Sequence, residues 1–220
     1  MQPEELPLGP SRKIQKSLSE TFSSLAHRNF RLYFIGQIVS NTGNWLTSVA
    51  LTLLVLQITH SGVMIGLLAA CQFGPILVLS AWGGAVVDRA KKHRLLLVTQ
   101  SLEMAQSAAL AVLAFTPHPS MTLLFVIATA GGVVLALDNP LRRSFVSEMV
   151  PEKDVPNAVV LYSTIINLSR VFGPSIAGVL VVTLGYGWCF TIDAASYIAV
   201  IACIAMMRVR ELYVHPPAIR

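Results

Sequence analysis

The chain has 220 residues, 54% of them hydrophobic and only 12% charged, against roughly 25% charge in a soluble domain. Its apolar residues fall in blocks of about 20 or more, long enough to cross a hydrocarbon core of roughly 30 Å at about 1.5 Å per residue, which excludes an ordinary water-soluble domain. The net charge is +5, yet the basic residues sit in short clusters between the blocks, with no basic face and no interleaved aromatics, which argues against a nucleic-acid partner.

Residues 1–29 read as a cytoplasmic N-terminal tail, its first 17 residues disordered and marked by Pro3, Pro7 and Pro10. From Leu18 to Phe30, Leu18, Phe22, Leu25, Ala26 and Phe30 recur at helical spacing. This fits either a short helix on the membrane surface or an extension of the first span. The transmembrane domain, 30–207, contains spans near 33–58, 63–87, 95–115, 121–141, 157–184 and 188–207. The loop Asp88 to Arg94 follows the second span, and a polar stretch from Arg142 to Pro156 follows the fourth. Residues 208–220 form a cytoplasmic C-terminal tail.

Every Lys and Arg except Arg170 lies in the two tails or in the second and fourth loops. The positive-inside rule then places both termini in the cytoplasm, and the alternation supports the count of six spans.

Four ionisable residues fall inside spans: Glu103, Asp138, Arg170 and Asp193. Each costs about 2.5–3.5 kcal/mol at a helix centre on insertion scales and so requires a partner, a wet cavity or an interfacial position. Asp138 is one turn before Arg142, an i,i+4 pair. Asp193 is close enough to its helix end to reach the interface. Glu103 and Arg170 lie deeper, at depths differing by about 7 Å. Either they form an ion pair between the third and fifth helices, or they belong to a substrate or proton path with Asn167, one turn before Arg170. In the first span Gln37, Asn41, Asn44 and Trp45 share one face, and Gln72 and Asn139 add further polar groups. Such a stripe glues helices together or lines an aqueous cavity.

The chain carries no enzyme signature. Gly173-Pro174-Ser175 has no base at membrane depth, since all five histidines lie in loops or tails and no Lys lies in a span. There is no Walker-type loop. Cys71, Cys189 and Cys203 read as buried small hydrophobes, and neither cofactor nor metal is expected.

Phe73-Gly74-Pro75 in the second span and Phe172-Gly173-Pro174 in the fifth are paired interruptions, the pointer to an inverted three-plus-three repeat with helix bends at Gly74, Pro75, Gly173 and Pro174. The loop from Gly84 through Asp88 and Arg89 to Arg94 resembles the signature of the major facilitator superfamily. There Gly allows tight helix packing, Asp meets a helix N-terminus and the basic cluster holds the loop inside. Gly173 to Gly178 is similar to that family's antiporter signature. The stretches Gly43 to Leu46, Asn139 to Arg143, Val150-Pro151, Asn157-Ala158 and Asn167 to Gly178 resemble its branch of enterobactin exporters and secretion effectors. The chain departs from the pattern at Lys91 (normally Gly) and at Asn44 (often acidic), and no Arg lies in 125–137.

The resemblance implies an all-α polytopic membrane protein, half of a major-facilitator-type bundle, acting as a secondary transporter in the cell membrane. It implies proton-linked efflux of a drug- or siderophore-like small molecule. Its expected partners are the lipid bilayer, the substrate, protons, and a second transporter half or a second copy. Family members carry twelve spans, so a truncated or split half is favoured over a homodimer. The alternative is a non-transporting subunit or inactive remnant.

Overall fold

In lipid the backbone has no water to bond, so a spanning segment must satisfy its own amides, and a helix does this within one segment. A computed structural model describes residues 22–213 of the chain. Six helices in it are long and apolar enough to cross a membrane. They are α1 (Arg28–Thr59), α2 (Gly62–Arg89), α3 (Lys92–Ala114), α4 (Met121–Glu148), α5 (Val155–Leu184) and α6 (Tyr186–Ala205). No strand occurs among the described residues. The expected disordered segment and residues 214–220 lie outside them.

Of the two readings of Leu18 to Phe30, the described part contains no surface helix, and the first span is extended back only as far as Arg28. A single 3-10 turn, Ser23–Ala26, ends at His27, whose extended backbone (φ −77°, ψ 119°) separates it from α1. Polar bonds hold this turn to the start of α5. Ser24 Oγ donates to the Asp154 carbonyl (3.0 Å), Ser23 Oγ to Asp154 Oδ1 (3.1 Å), and the Ser24 amide to Asn157 Oδ1 (3.2 Å). His27 Nε2 lies 2.9 Å from Asp154 Oδ2. Outside the spans, this hydrogen bond from His27 holds the Asp154 carboxyl below its ordinary range.

The packing reveals the repeat. The closely packed pairs are α1 with α6, α2 with α4, α3 with α6, α1 with α5, and α3 with α4. Exchanging the first three helices for the last three turns α1·α6 into α4·α3 and α2·α4 into α5·α1, and returns α3·α6 to itself. The bundle is therefore an inverted three-plus-three repeat. Yet α2 and α5 run unbroken through Pro75 and Pro174, so the paired Gly-Pro steps mark the symmetry without interrupting the helices.

Two further expectations need correction. The first half of the polar stretch after the fourth span is still helix, because α4 continues to Glu148 and buries Phe145 and Val146 in the core. The close approach assigned to Gly84 belongs to Gly83, where a Cβ would stand 2.8 Å from the Ala136 carbonyl oxygen; at Gly84 it would meet open space. Between α5 and α6 the chain turns on Gly185 alone (φ 84°, ψ 169°), a conformation costly for residues with a Cβ.

Both described ends lie on one side of the bundle, hereafter the terminal side. Asn29 Nδ2 donates to the Arg208 carbonyl (3.1 Å), and the Arg208 amide donates to Asn29 Oδ1 (2.9 Å). On the same side Lys92 pairs with Glu148 (2.7 Å), and the Tyr213 amide donates to the Glu148 carbonyl (2.8 Å). The core divides into two apolar clusters. One lies toward the terminal side, around Phe30, Leu96, Leu141, Phe145 and Ile204. The other lies toward the opposite side, around Leu51, Leu110, Leu124 and Phe190.

Candidate functional site

Between those clusters lies a polar layer, and Arg142 is its centre. Continuation of α4 past Leu141 puts Arg142 one turn after Asp138 on the face turned to α1 and α3, where it is only 5% exposed. Its Nε donates to Asp138 Oδ2, the expected i,i+4 pair, and its Nη1 donates to Gln37 Oε1 on α1. Its Nη2 donates to Glu103 Oε2 (3.0 Å) and to Gln100 Oε1 (3.2 Å) on α3. Asp138 Oδ1 accepts from Thr99 Oγ1 (2.7 Å) and Gln100 Nε2 (3.0 Å). Three helices thus meet on one guanidinium, whose planar fork of donors reaches two carboxylates and two amides together. Glu103, Asp138, Gln37 and Gln100 are all buried.

Of the two readings of Glu103 and Arg170, the ion pair does not form. The α3 helix packs on α4 and α6, whereas α5 packs mainly on α1, so nearness in depth does not bring their side chains together. Arg170 is exposed and lines a groove of about 380 Å³ with Arg143, Tyr162, Ser163, Ile166 and Asn167. Neither Arg143 nor Arg170 has an ion-pair partner among the described residues.

The first-span stripe divides. Gln37 joins the Arg142 cluster, and Asn41 turns back to donate to the Gln37 carbonyl (2.8 Å). Asn44 accepts from Tyr197 on α6 (2.7 Å). Trp45 occupies the space that a Cβ on Gly173 would take, at 2.5 Å from its ring, so Gly173 serves α1–α5 packing. Gln72 enters through its backbone, since its carbonyl oxygen would lie 2.4 Å from a Cβ on Gly132 of α4. No close neighbour surrounds Gly74. Asp88 and Arg89 are exposed at the end of α2, without ion-pair partners among the described residues.

Asp193 does not reach the interface. It is 1% exposed, and its Oδ2 accepts from Thr47 Oγ1 and Ser107 Oγ, both at 2.6 Å. The sequence reading took Arg142 only as the i,i+4 partner of Asp138 and passed over Gln100, Thr99, Thr47, Ser107 and Tyr197. For the burial of Arg142 the signal was present in Asp138, Leu141, Arg142, Phe145 and Met149, which fall at offsets 0, 3, 4, 7 and 11 on one helical face.

A bundle of membrane-length helices around a buried guanidinium–carboxylate cluster, with two of its helices largely bare on their outer faces, is that of a polytopic membrane protein. The chain belongs to the transmembrane secretion effector family of the major facilitator superfamily, which matches residues 19–215. It is 34% identical over 179 residues to the staphyloferrin A transporter of Staphylococcus aureus, covering 80% of this chain and 45% of that protein. It is 24% identical over 170 residues to the enterobactin exporter EntS of Shigella flexneri, covering 77% and 42%. To the multidrug efflux pump Tap of Mycolicibacterium fortuitum it is 27% identical over 183 residues, covering 80% and 44%. The chain thus spans less than half the length of these relatives.

Proposed function

We propose that this chain is the N-terminal six-helix half of a proton-linked exporter of small amphiphilic molecules, drug- or siderophore-like, in the bacterial cell membrane. The observation that carries the reading is the Arg142 cluster, one guanidinium bonded to two buried carboxylates. With both acids ionised the cluster holds one surplus negative charge, costly at this depth. A proton on Glu103 or Asp138 balances it, so binding and release of that proton change which bonds join α1, α3 and α4. This is a two-state element of the kind that links an ion to helix movement.

The basic clusters on the terminal side support a cytoplasmic location for both ends. The bare apolar faces of α2 and α5, with Leu77, Val78, Val171 and Val182 all strongly exposed, are where a second half or second copy packs. The groove of Arg143, Ser163, Asn167 and Arg170 on α4 and α5 supplies polar contacts for substrate. The named relatives transport or export a siderophore or drugs, which supports the substrate class.

The test is flux in proteoliposomes. The purified chain should release an amphiphilic dye under an imposed pH gradient. A protonophore should abolish that flux, and Arg170→Ala should weaken it several-fold. Release no faster than from protein-free liposomes would remove transport by this chain.

A further inference from the structure

We infer that Asp193 is a second proton-binding carboxyl, separate from the Arg142 cluster and held without a cation between α1, α3 and α6. The inference rests on the transport reading for its use, not for its existence.

The geometry distinguishes the two sites. In the Arg142 cluster each carboxylate touches a guanidinium. Asp193 makes no ion pair within 4.0 Å among the described residues. Hydroxyl groups surround it instead, with Thr47 and Ser107 donating to Oδ2, while Oδ1 is buried and has no hydrogen-bond partner among the described residues. A carboxylate oxygen shut away from water with no donor forfeits its hydration without return, whereas a carboxylic acid needs to place only one hydrogen.

An acceptor for that hydrogen is at hand. Ser196 spends its own hydrogen on the Asp193 carbonyl (2.7 Å), leaving its oxygen lone pairs free. Asp193 Oδ1 and Ser196 Oγ both stand over Gly43, where a Cβ would come within 2.3 and 2.7 Å of them. Gly43 therefore keeps the chamber open. In the step, a proton arrives on Oδ1, the O–H donates toward Ser196 Oγ, and the charge on the carboxylate is cancelled.

The groups that face Asp193 from each packed helix are few. From α1 come Gly43 and Thr47, neither titratable. From α3 comes Ser107, with Glu103 one turn before it, and from α6 Ser196, with Tyr197 one turn after Asp193. The cation that acts on Asp193 is Arg142 of α4, through space rather than by contact. Along the α3–α6 seam, Asp193 and Glu103 lie about one helical turn, roughly 6 Å, apart in register. This offers the Arg142 cluster a neighbour with which to exchange a proton.

The test is infrared difference spectroscopy of the purified chain in lipid, stepped in pH, following the carbonyl stretch of protonated carboxylic acids. The wild-type chain should show such a band near neutral pH, with one component lost in Asp193→Asn and kept in Glu103→Gln. Thr47→Val keeps the acid but removes a donor to its ionised form, so it should raise the titration midpoint of that component by about one pH unit. This second variant gives the reading where Asp193→Asn fails to fold, because a merely structural aspartate would not move with it. A band indifferent to both variants, or a titration midpoint that shifts with sodium concentration, would overturn the assignment. A chain with the signature but no flux in liposomes loses the transport reading and keeps the proton site. Flux without the signature does the reverse.

Discussion

Arg142 is the most consequential single side chain in the bundle, and Arg142→Met measures how much. Met fills similar volume but leaves the carboxylates of Glu103 and Asp138 facing each other with no cation. Removing one member of a buried ionic group costs about 3–5 kcal/mol, because the charge left behind is uncompensated. Gln37 and Gln100 also lose donors to their amide oxygens, but interhelical hydrogen bonds in membrane proteins average only about 0.6 kcal/mol. The orphaned charges therefore dominate. This suggests the rescue: Arg142→Met combined with Glu103→Gln and Asp138→Asn removes every charge and should recover most of that loss. Denaturant titration in detergent micelles, followed by the fluorescence of Trp45 at the α1–α5 contact, reads both variants. A single-variant loss below about 1 kcal/mol, or a triple variant no more stable than the single one, would refute the view that charge balance holds this cluster together.

Adjacent glycines of α4 should respond unequally. A Cβ on Gly131 meets only the amide end of Gln106, which can swing away, whereas one on Gly132 meets the Gln72 carbonyl of α2 at 2.4 Å. Thermal unfolding in micelles should therefore show Gly132→Ala losing about 1–3 kcal/mol and Gly131→Ala clearly less. Gly43→Ala should lose a similar 1–3 kcal/mol by filling the chamber beside Asp193, and Asp193→Ala in the same chain should relieve most of that loss in the same assay. The Asp154 carboxyl gives a pH prediction. Its folded value lies below the unfolded one, so its stabilisation is present above about pH 3.9 and lost as pH falls through the folded value. Amide exchange at Ser24 to Arg28 should show protection at neutral pH that is absent in Asp154→Asn, the two converging in acid; equal protection at neutral pH would count against this contact.

The span count and the fold class were legible because lipid imposes a coarse rule on long stretches of sequence. Faces are set by finer packing. Glu103 and Arg170 lie within side-chain reach of each other in depth, but depth along a helix says nothing about which neighbour a side chain meets, and α3 and α5 turn to different partners. Hydropathy ended the fourth span at its first arginine. The helix continued because Arg142 found its partners inside the bundle and Phe145 carried on the buried stripe. The sequence therefore pairs Arg142 with Asp138 alone and leaves Gln37 and Glu103 without the cation that unites them. Asp193 was misread because nearness to a helix end was taken for access to water. Thr47 and Ser107, which serve it, are too ordinary in sequence to attract notice.

The unequal stitching of the two ends has a mechanical consequence. Toward the termini, Ser24, His27, Asn29, Lys92 and His93 cross between helices or turns by polar bonds. Beyond Asp193 the helices are held by the apolar cluster around Leu51, Leu124 and Phe190. Acyl chains can replace greasy contacts with little penalty, while the polar bonds near the termini join particular donors to particular acceptors. A bundle built this way spreads like tongs whose rivet sits near the handles: splaying is cheap at the far tips and resisted where the chain begins and ends.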